Sequence, residues 1–553
     1  MYVESSKGKI RRLWDFHGGL HLPDNKRQSL QTDLTSATMP ARLILPLRQH
    51  IGESAIPLVK PGDRVLKGEK IADNTAPVCA PIHAPTSGII KGIEAHPIPH
   101  PSGLNGPAIV LEVDGKDEWA DLPAPINDFQ NVDKSLLLQR VRESGIVGLG
   151  GATFPAAIKL NPGKAIKTLI INGAECEPFI TCDDRLMQGA PDRILNGARI
   201  LQHILGAEEC LIGIEDNKPD AISTLRSHLT DDDSIEVVRI PTLYPSGGEK
   251  QLIRILTGQE VPSEGLPAQL GVICHNVATA AAIADAVLEG RPLISRLVTL
   301  TGEGIANPCN MEVPLGITAA DLIEQTGGYT GKSSQLIMGG PMMGFNLSTD
   351  QVPITKGSNC LLAPSEEEVP TTGSALACIR CGRCAEVCPV NLLPQQMYWF
   401  SRAKELEKVQ DYNLFDCIEC GCCSHVCPSH IPLVHYFRFA KTESWAKEKE
   451  LQAADHAKKR HDFRIARLER LDAERKARLR KKKENLGKKK PVKPAAKGED
   501  AKKAAIEAAM KRAAAKKAAQ QSPPKNTDNL TPAQQKQLDA VDKHRAETTA
   551  DQE

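Results

Sequence analysis

The sequence has no window approaching 18 uninterrupted apolar residues, so no membrane-spanning helix is predicted. One of its most apolar stretches, Val277 to Leu288, is short and carries Asp285. The N-terminal run MYVESSKGKIRRLWDF lacks the apolar core of a secretory leader. Seven of the 16 cysteines (Cys79, Cys176, Cys182, Cys210, Cys274, Cys309, Cys360) are scattered without a spaced framework, which argues against a disulfide scaffold and for a reducing compartment. No interleaved basic and aromatic pattern is present, which removes nucleic acid from the expected partners. Net charge is almost absent, at +1. That small value hides an asymmetry. From Lys441 onward there are 31 Lys+Arg and 18 Asp+Glu, and the rest of the chain has 38 against 50. An acidic body carries a basic tail. A length of 553 residues leads us to expect several domains.

The chain is rich in cysteine in one place, and there a pattern repeats. Cys378-Ile-Arg-Cys381-Gly-Arg-Cys384-Ala-Glu-Val-Cys388-Pro389 is followed by Cys417-Ile-Glu-Cys420-Gly-Cys422-Cys423-Ser-His-Val-Cys427-Pro428. Both runs are C-x2-C-x2-C-x3-C-P, the spacing of two-cluster ferredoxins. Three thiolates at short intervals line one face of a cube, and the fourth, on a helical turn, reaches the other cluster. The expected ligand sets are Cys378, Cys381, Cys384 and Cys427 for one [4Fe–4S] cluster, and Cys388, Cys417, Cys420 and Cys423 for the other. Zinc and disulfides are the competing readings, and two complete runs with terminal prolines fit them poorly. Cys422 is extra and reads as packing near a cluster. The Met342-Met343 pair reads as core packing, and the scattered histidines, His17 and His83 among them, as loop or core residues.

Residues 35–125 are rich in Pro, Gly and short β-type runs, such as Val59 to Ala72 and Ala84 to Ile93. This region resembles the barrel of lipoyl- and biotinyl-carrier domains. It has Ala84-Pro85-Thr86 where a carrier lysine would be sought, so we expect a structural barrel. Residues 130–292 change to alternating patterns. Asp133 to Ser144 reads as a helix capped by Asp133 and ended by Gly145. Thr168 to Asn172, Cys210 to Ile214, Ile235 to Ile240 and Gly271 to Cys274 read as buried strands, with helical stretches such as Pro219 to Leu229 and Val277 to Glu289 between them. A mostly parallel sheet with helices on both faces is expected. Residues 294–350 read as a small β-grasp module with a helix over Thr318 to Thr326. Glu366 to Thr372 reads as a linker. Residues 366–440 read as an α-helical ferredoxin with a helix over Pro394 to Lys408. Residues 441–520 form a basic helical extension with a thin stripe of Phe463, Ile465, Leu468 and Leu471, and 521–553 have the composition of a disordered tail.

A second chemical stretch is Gly145-Ile-Val-Gly148-Leu-Gly150-Gly151-Ala-Thr-Phe154-Pro155-Ala-Ala-Ile-Lys159. Such glycines let backbone N–H groups approach an anion, and Lys159 adds a positive charge; a phosphate or pyrophosphate suits them. A tight turn is the alternative. Asn172-Gly-Ala-Glu175-Cys-Glu177-Pro178 and Tyr244-Pro-Ser-Gly-Gly-Glu249-Lys250 each follow an expected strand, where α/β sheets place ligand contacts. Asn172, Glu175 and Glu177 can hold hydroxyls and a flavin edge.

These three loops resemble those of the flavin- and NADH-binding subunit of respiratory complex I. The resemblance implies that Gly148, Gly150, Gly151 and Lys159 serve flavin phosphate and dinucleotide. It implies that Asn172, Glu175 and Glu177 border the isoalloxazine and nicotinamide, and that Glu249 is a further polar contact. Leu149, Thr153, Cys176 and Gly248 depart from that pattern. The order of barrel, flavin domain, β-grasp (SLBB-like) module and two-cluster ferredoxin, with Phe16-His-Gly-Gly-Leu-His-Leu-Pro23 before them, resembles the C-subunit family of Rnf ion-translocating electron transport complexes. That family implies a multidomain α/β protein, peripheral on the cytoplasmic side of the inner membrane. It implies FMN, two [4Fe–4S] clusters and NADH as substrate, with electrons passed to other subunits of a membrane complex that moves Na+ or H+. No catalytic nucleophile is expected, because the cofactors carry the chemistry. Two other readings are an electron-transfer subunit without its own NADH oxidation and an assembly scaffold with structural clusters. The basic tail suits an anionic lipid surface, an acidic partner subunit, or a solvated helix.

Overall fold

The computed structural model describes residues 2–4, 6, 8, 10–230, 234–371, 373–487 and 499–519. The expected tail over 521–553 lies outside the described residues. The chain forms two compact units, Met1–Leu451 and Gln452–Glu553.

In the first unit the barrel is built from two sheets. One has the order Arg42–Pro46, Asn105–Val113, Gly88–Pro97, Arg64–Val65, and the other Ile56–Pro57, Lys70–Asp73, Ile82–His83. The tip where a carrier lysine would be sought is closed. Thr86 and Ser87 are buried there, and their hydroxyls donate to Asp117 at 2.7 Å and Asp114 at 2.6 Å. The inward residues Leu43, Leu45, Ile109 and Leu111 share one apolar core with Val298, Leu300, Val313 and Leu322 of the β-grasp module. That module's sheet runs Phe345–Asn346, Ile337–Met338, Cys360–Leu362, Ser295–Thr301, Cys309–Pro314, Thr35–Ser36. Two of its strands thus come from outside residues 294–350. Its helix, Ala319–Gln325, is capped by Thr318.

The α/β domain has a four-stranded parallel sheet in the order Ile235–Ile240, Glu209–Glu215, Thr168–Asn172, Val272–Asn276. The β-branched runs make these strands, and both faces are covered. Asp133 caps the helix Lys134–Glu143 by accepting from Ser135 N–H at 2.7 Å. The helices Pro191–Leu205 and Val277–Ala284 pack so closely that Gly197, against Ala280, has no room for a Cβ. The helical stretch expected to Glu289 changes to a π turn over Asp285–Glu289.

The ferredoxin region carries a backbone repeat to match its sequence repeat. Arg380, Gly382 and Asn391 have φ of 58°, 83° and 53°; the residues 39 positions on, Glu419, Gly421 and His430, have 58°, 82° and 50°. The single helix expected over 394–408 is two helices, Pro394–Arg402 and Leu406–Asp411. Lys404, at φ 58°, breaks it. Helix Leu433–Gly487 begins in this unit, with Val434, Phe437 and Ala440 in the ferredoxin core.

The second unit holds the rest of that helix and Glu499–Ala519. Phe463, Ile465, Leu468 and Leu471 are all exposed, and Asp455–Lys459 and Asp472–Lys476 pair at i,i+4. No described helix is long and apolar enough to cross a membrane.

Candidate functional site: an anion cradle facing a two-cluster ferredoxin

The loop 145–154 folds back on itself. Gly148 N–H donates to Phe154 O at 2.9 Å, and Thr153 N–H donates to Gly148 O at 3.0 Å. The exposed N–H groups between them, on Gly150, Gly151 and Ala152, meet no protein acceptor among the described residues. Gly151 has φ 100° and open space where a Cβ would stand. Three adjacent free donors make a cradle for an anion. Leu149 does not point into it. It is buried, with its N–H on Thr279 Oγ1 at 2.9 Å and its carbonyl accepting from Arg296 at 3.1 Å. Lys356 holds the start of the loop, donating to Gly145 O at 2.7 Å and Pro81 O at 2.6 Å. Burial lowers the Lys356 amine to about 7.

Beside the cradle lie the C-terminal ends of two neighbouring strands, where Asn172 and Asn276 are register partners. Asn172 donates to Gly247 O at 2.8 Å, tying its loop to the Tyr244–Glu249 loop. Asn276 belongs to none of the three loop motifs in the sequence. It caps helix Val277–Ala284, lies where a Cβ on Gly150 would meet it at 3.2 Å, and donates to Asp183 at 2.5 Å. A polar residue directly before a helical run at a strand end is the one sequence signal it carries.

The Glu175 and Glu177 carboxylates grip different walls. Glu175 accepts from Asp183 N–H at 2.7 Å and Asp184 N–H at 3.2 Å, at the start of helix Cys182–Gly189. Burial pushes its pKa up to about 8 despite nearby Lys26. Glu177 accepts from Met342 N–H at 2.7 Å and Met343 N–H at 3.0 Å, and burial also raises its pKa. Met343 is therefore not the core packing that its sequence suggests; its side chain is 46% exposed and its backbone serves Glu177. The loop holds Glu175 and Phe179 at φ 45° and 70°. Buried Lys26 holds it there, donating to the carbonyls of Glu175, Glu177 and Ile180 at 2.8, 3.1 and 2.5 Å. No local pattern in the sequence points to Lys26. Lys159 and Glu249 meet as an ion pair at 2.6 Å.

The cysteines form two groups around two cavities. One is lined by Cys378, Cys381, Cys384 and Cys427, and the other by Cys388, Cys417, Cys420 and Cys423 together with the extra Cys422. Apart from Cys422, each group takes three cysteines from one run and the last cysteine of the other. Four thiolates around a cavity are the donor set a cubane needs. Cys381 is exposed, whereas Cys388, Cys420 and Cys423 are buried. Cys422 is fully buried with Cys420 and Tyr244. The Tyr244 hydroxyl donates to Cys420 O at 2.6 Å, joining the second cysteine group to a loop of the α/β domain.

Free backbone donors at the ends of a parallel sheet, with the Tyr244 loop of the same domain touching a two-cluster cysteine region, define an electron-transfer protein. The chain matches the Nuo51 FMN-binding domain over residues 141–285 and the 4Fe-4S dicluster domain over 377–431, so its cofactors are FMN and iron–sulfur clusters. It also matches the RnfC barrel sandwich hybrid domain over 14–116 and the SLBB domain over 297–346. It is 50% identical over 471 residues to the C subunit of the ion-translocating oxidoreductase complex of Pectobacterium carotovorum, covering 85% of this chain and 63% of the relative. It is also 50% identical over 468 residues to that of Pectobacterium atrosepticum (84% and 67%), and 49% identical over 491 residues to that of Klebsiella pneumoniae (89% and 64%). The chain belongs to this C-subunit family of ion-translocating oxidoreductase complexes. It spans about two thirds of the length of these relatives. A solved structure of an NAD+-reducing [NiFe]-hydrogenase in the air-oxidized state is similar at TM-score 0.39 and 20% identity, over 50% of this chain and 54% of that one, too distant to add to the assignment.

Proposed function

We propose that this chain is the peripheral electron-input subunit of a membrane-bound ion-translocating complex, with NADH as donor and other subunits of the complex as acceptors. When bound, FMN takes a hydride pair from a nicotinamide, and [4Fe–4S] clusters take electrons one at a time. Gly150 and Gly151 would offer backbone donors to the flavin phosphate, Gly148 would close the loop that presents them, and Lys159 would balance the phosphate charge. Asn172, Glu175 and Glu177 would border the ring, and Glu249 the dinucleotide. The cysteine groups would hold the clusters as paired above. The domain limits 35–125, 130–292, 294–350 and 366–440 belong to the same reading. The observation that supports it is the Tyr244–Cys420 contact, which joins one cysteine group to a loop of the α/β domain; the exposed Cys381 suits the other group as the exit.

Anaerobic purification with iron, sulfide and flavin quantification, followed by NADH titration, tests the reading. Bleaching of the flavin band and then reduced-cluster resonance signals are expected. Bound flavin that NADH leaves oxidised would favour transfer without NADH oxidation, a second reading that the buried Leu149 supports, since that position presents no side chain to the cradle. We further place the subunit on the cytoplasmic side of the inner membrane, with its basic tail on anionic lipid. Removal of residues 452–553 should reduce retention in membrane fractions; unchanged retention excludes the tail as an anchor.

A further inference from the structure

The segment between Trp14 and Ser29 belongs to no strand, yet it touches the α/β domain, the ferredoxin region and the β-grasp module. Trp14 N–H donates to Ile255 O at 3.0 Å on the α/β domain. Next, His17 Nδ1 lies 2.8 Å from Cys388 O, and Gly19 N–H donates to Val387 O at 3.0 Å. One residue on, Leu20 and Tyr244 exchange backbone hydrogen bonds at 2.8 and 3.0 Å. Further along, Lys26 holds the Glu175–Ile180 loop, and Gln28 accepts from Gly302 N–H of the β-grasp module at 3.2 Å.

The grip is selective. Cys388 and Cys420 belong to the same cysteine group. His17 holds the carbonyl of the first, and Tyr244, itself held by Leu20, holds the carbonyl of the second. No cysteine carbonyl of the other group is held in this way by residues 14–29 among the described residues. Passage between the domains is tight enough to need glycine twice. Gly18 has φ 65°, and a Cβ there would lie 2.5 Å from Val387 C; Gly19 has φ 84°, and its Cβ would lie 2.9 Å from Tyr244 O. Both obstacles are backbone, which cannot swing aside as a side chain can.

We propose that Phe16–Leu20 is a positioning strap that fixes the cysteine group Cys388, Cys417, Cys420 and Cys423 against the flavin-side loops, and so sets the rate at which electrons cross between them. The proposal rests on the electron-input reading above. His17 and Gly18 are positioning residues; neither enters the redox step, in which each electron lost on the flavin side is gained on the cluster side. His17 must donate from Nδ1, because its partner is a carbonyl. An asparagine amide can donate from nearly the same place; alanine cannot.

The test uses the full chain, loaded and anaerobic, in the variants His17→Ala, His17→Asn and Gly18→Ala. Electrons are delivered to the bound flavin by photoreduction, so the result does not depend on NADH as donor. If NADH fails to bleach the wild-type flavin, the donor assignment falls and the strap does not. For Gly18→Ala, displacement of Val387 away from the strap should slow flavin-to-cluster transfer severalfold, because electron transfer falls off exponentially with distance. His17→Ala should slow it as well, and His17→Asn should restore most of the rate. Iron content should stay at the wild-type level, and the paramagnetic resonance line shape should change for the Cys388 group only. Unchanged transfer in His17→Ala and Gly18→Ala overturns the proposal. So does equal slowing by Ala and Asn at His17, or loss of iron with a normal rate in the chains that remain loaded. If Gly18→Ala does not fold, the His17 pair decides the matter.

Discussion

The ammonium of Lys159 lies 2.6 Å from the carboxylate of Glu249, and both side chains are partly buried. Glu249 opens helix Glu249–Thr257, where a negative charge also meets the positive end of the helix dipole. The carboxylate thus leaves the lysine charge already partly neutralised.

Two substitutions separate the roles in that pair. Lys159→Gln should weaken flavin retention by about tenfold, the worth of one charge-assisted hydrogen bond of roughly 1.5 kcal/mol. Glu249→Gln removes the competing carboxylate and frees the ammonium, so FMN should be held as tightly as in the wild type or more so. Flavin released on gel filtration at graded concentrations measures both. Weaker retention in Glu249→Gln would show that the carboxylate itself holds the flavin.

Tyr244→Phe deletes one buried hydroxyl and keeps the ring. The carbonyl of Cys420 then loses its donor at 2.6 Å, at a cost of about 1 kcal/mol. Amide exchange over the Cys420–Cys423 turn should rise about fivefold. Flavin content should be unchanged, because the Leu20–Tyr244 backbone bonds remain. Exchange confined to other segments would mean that the hydroxyl bond does not hold this turn.

The parts of the molecule that local chemistry dictates were legible in the sequence. The strands Thr168–Asn172 and Ile235–Ile240 fall where the β-branched runs place them, and Asp133 caps the helix it precedes. The cysteine spacing predicted which cysteines share a cavity, the extra Cys422 apart, because a short turn leaves few geometries. Contacts between distant segments were not legible. Lys26 reaches the Glu175 loop from about 150 residues away, and Asn276 meets Asn172 only through the register of two strands 104 positions apart. The break at Lys404 was missed because a lysine carries no helix-stop signal, and its φ of 58° is set by its surroundings. The exposure of Met343 was missed because an apolar pair was read by composition, while its backbone was recruited by Glu177.

Cys427→Ala tests the crossed pairing. Cys427 lines the cavity of Cys378, Cys381 and Cys384, although its own run supplies the other group. The variant should lose the resonance signal of the exposed cluster and about half of the iron, with the Cys388 group's signal retained. Selective loss of the other signal would reverse the pairing.

Glu175→Gln tests the cost of the buried carboxylate through pH. Burial raises the folded-state pKa of Glu175 from the ordinary 4.5 to about 8. Between those values the folded chain keeps a proton that the unfolded chain releases, so folding stability falls as pH rises through that window. The glutamine has no proton to lose, and its amide oxygen still accepts from the Asp183 or Asp184 N–H at the helix start. Any stability advantage of the wild type over Glu175→Gln should therefore shrink steadily from pH 5 to about 8. Denaturation of the loaded protein at a series of pH values measures the difference. An advantage that grows with pH would show that Glu175 is held as the carboxylate, by Lys26 and the helix start, against its burial.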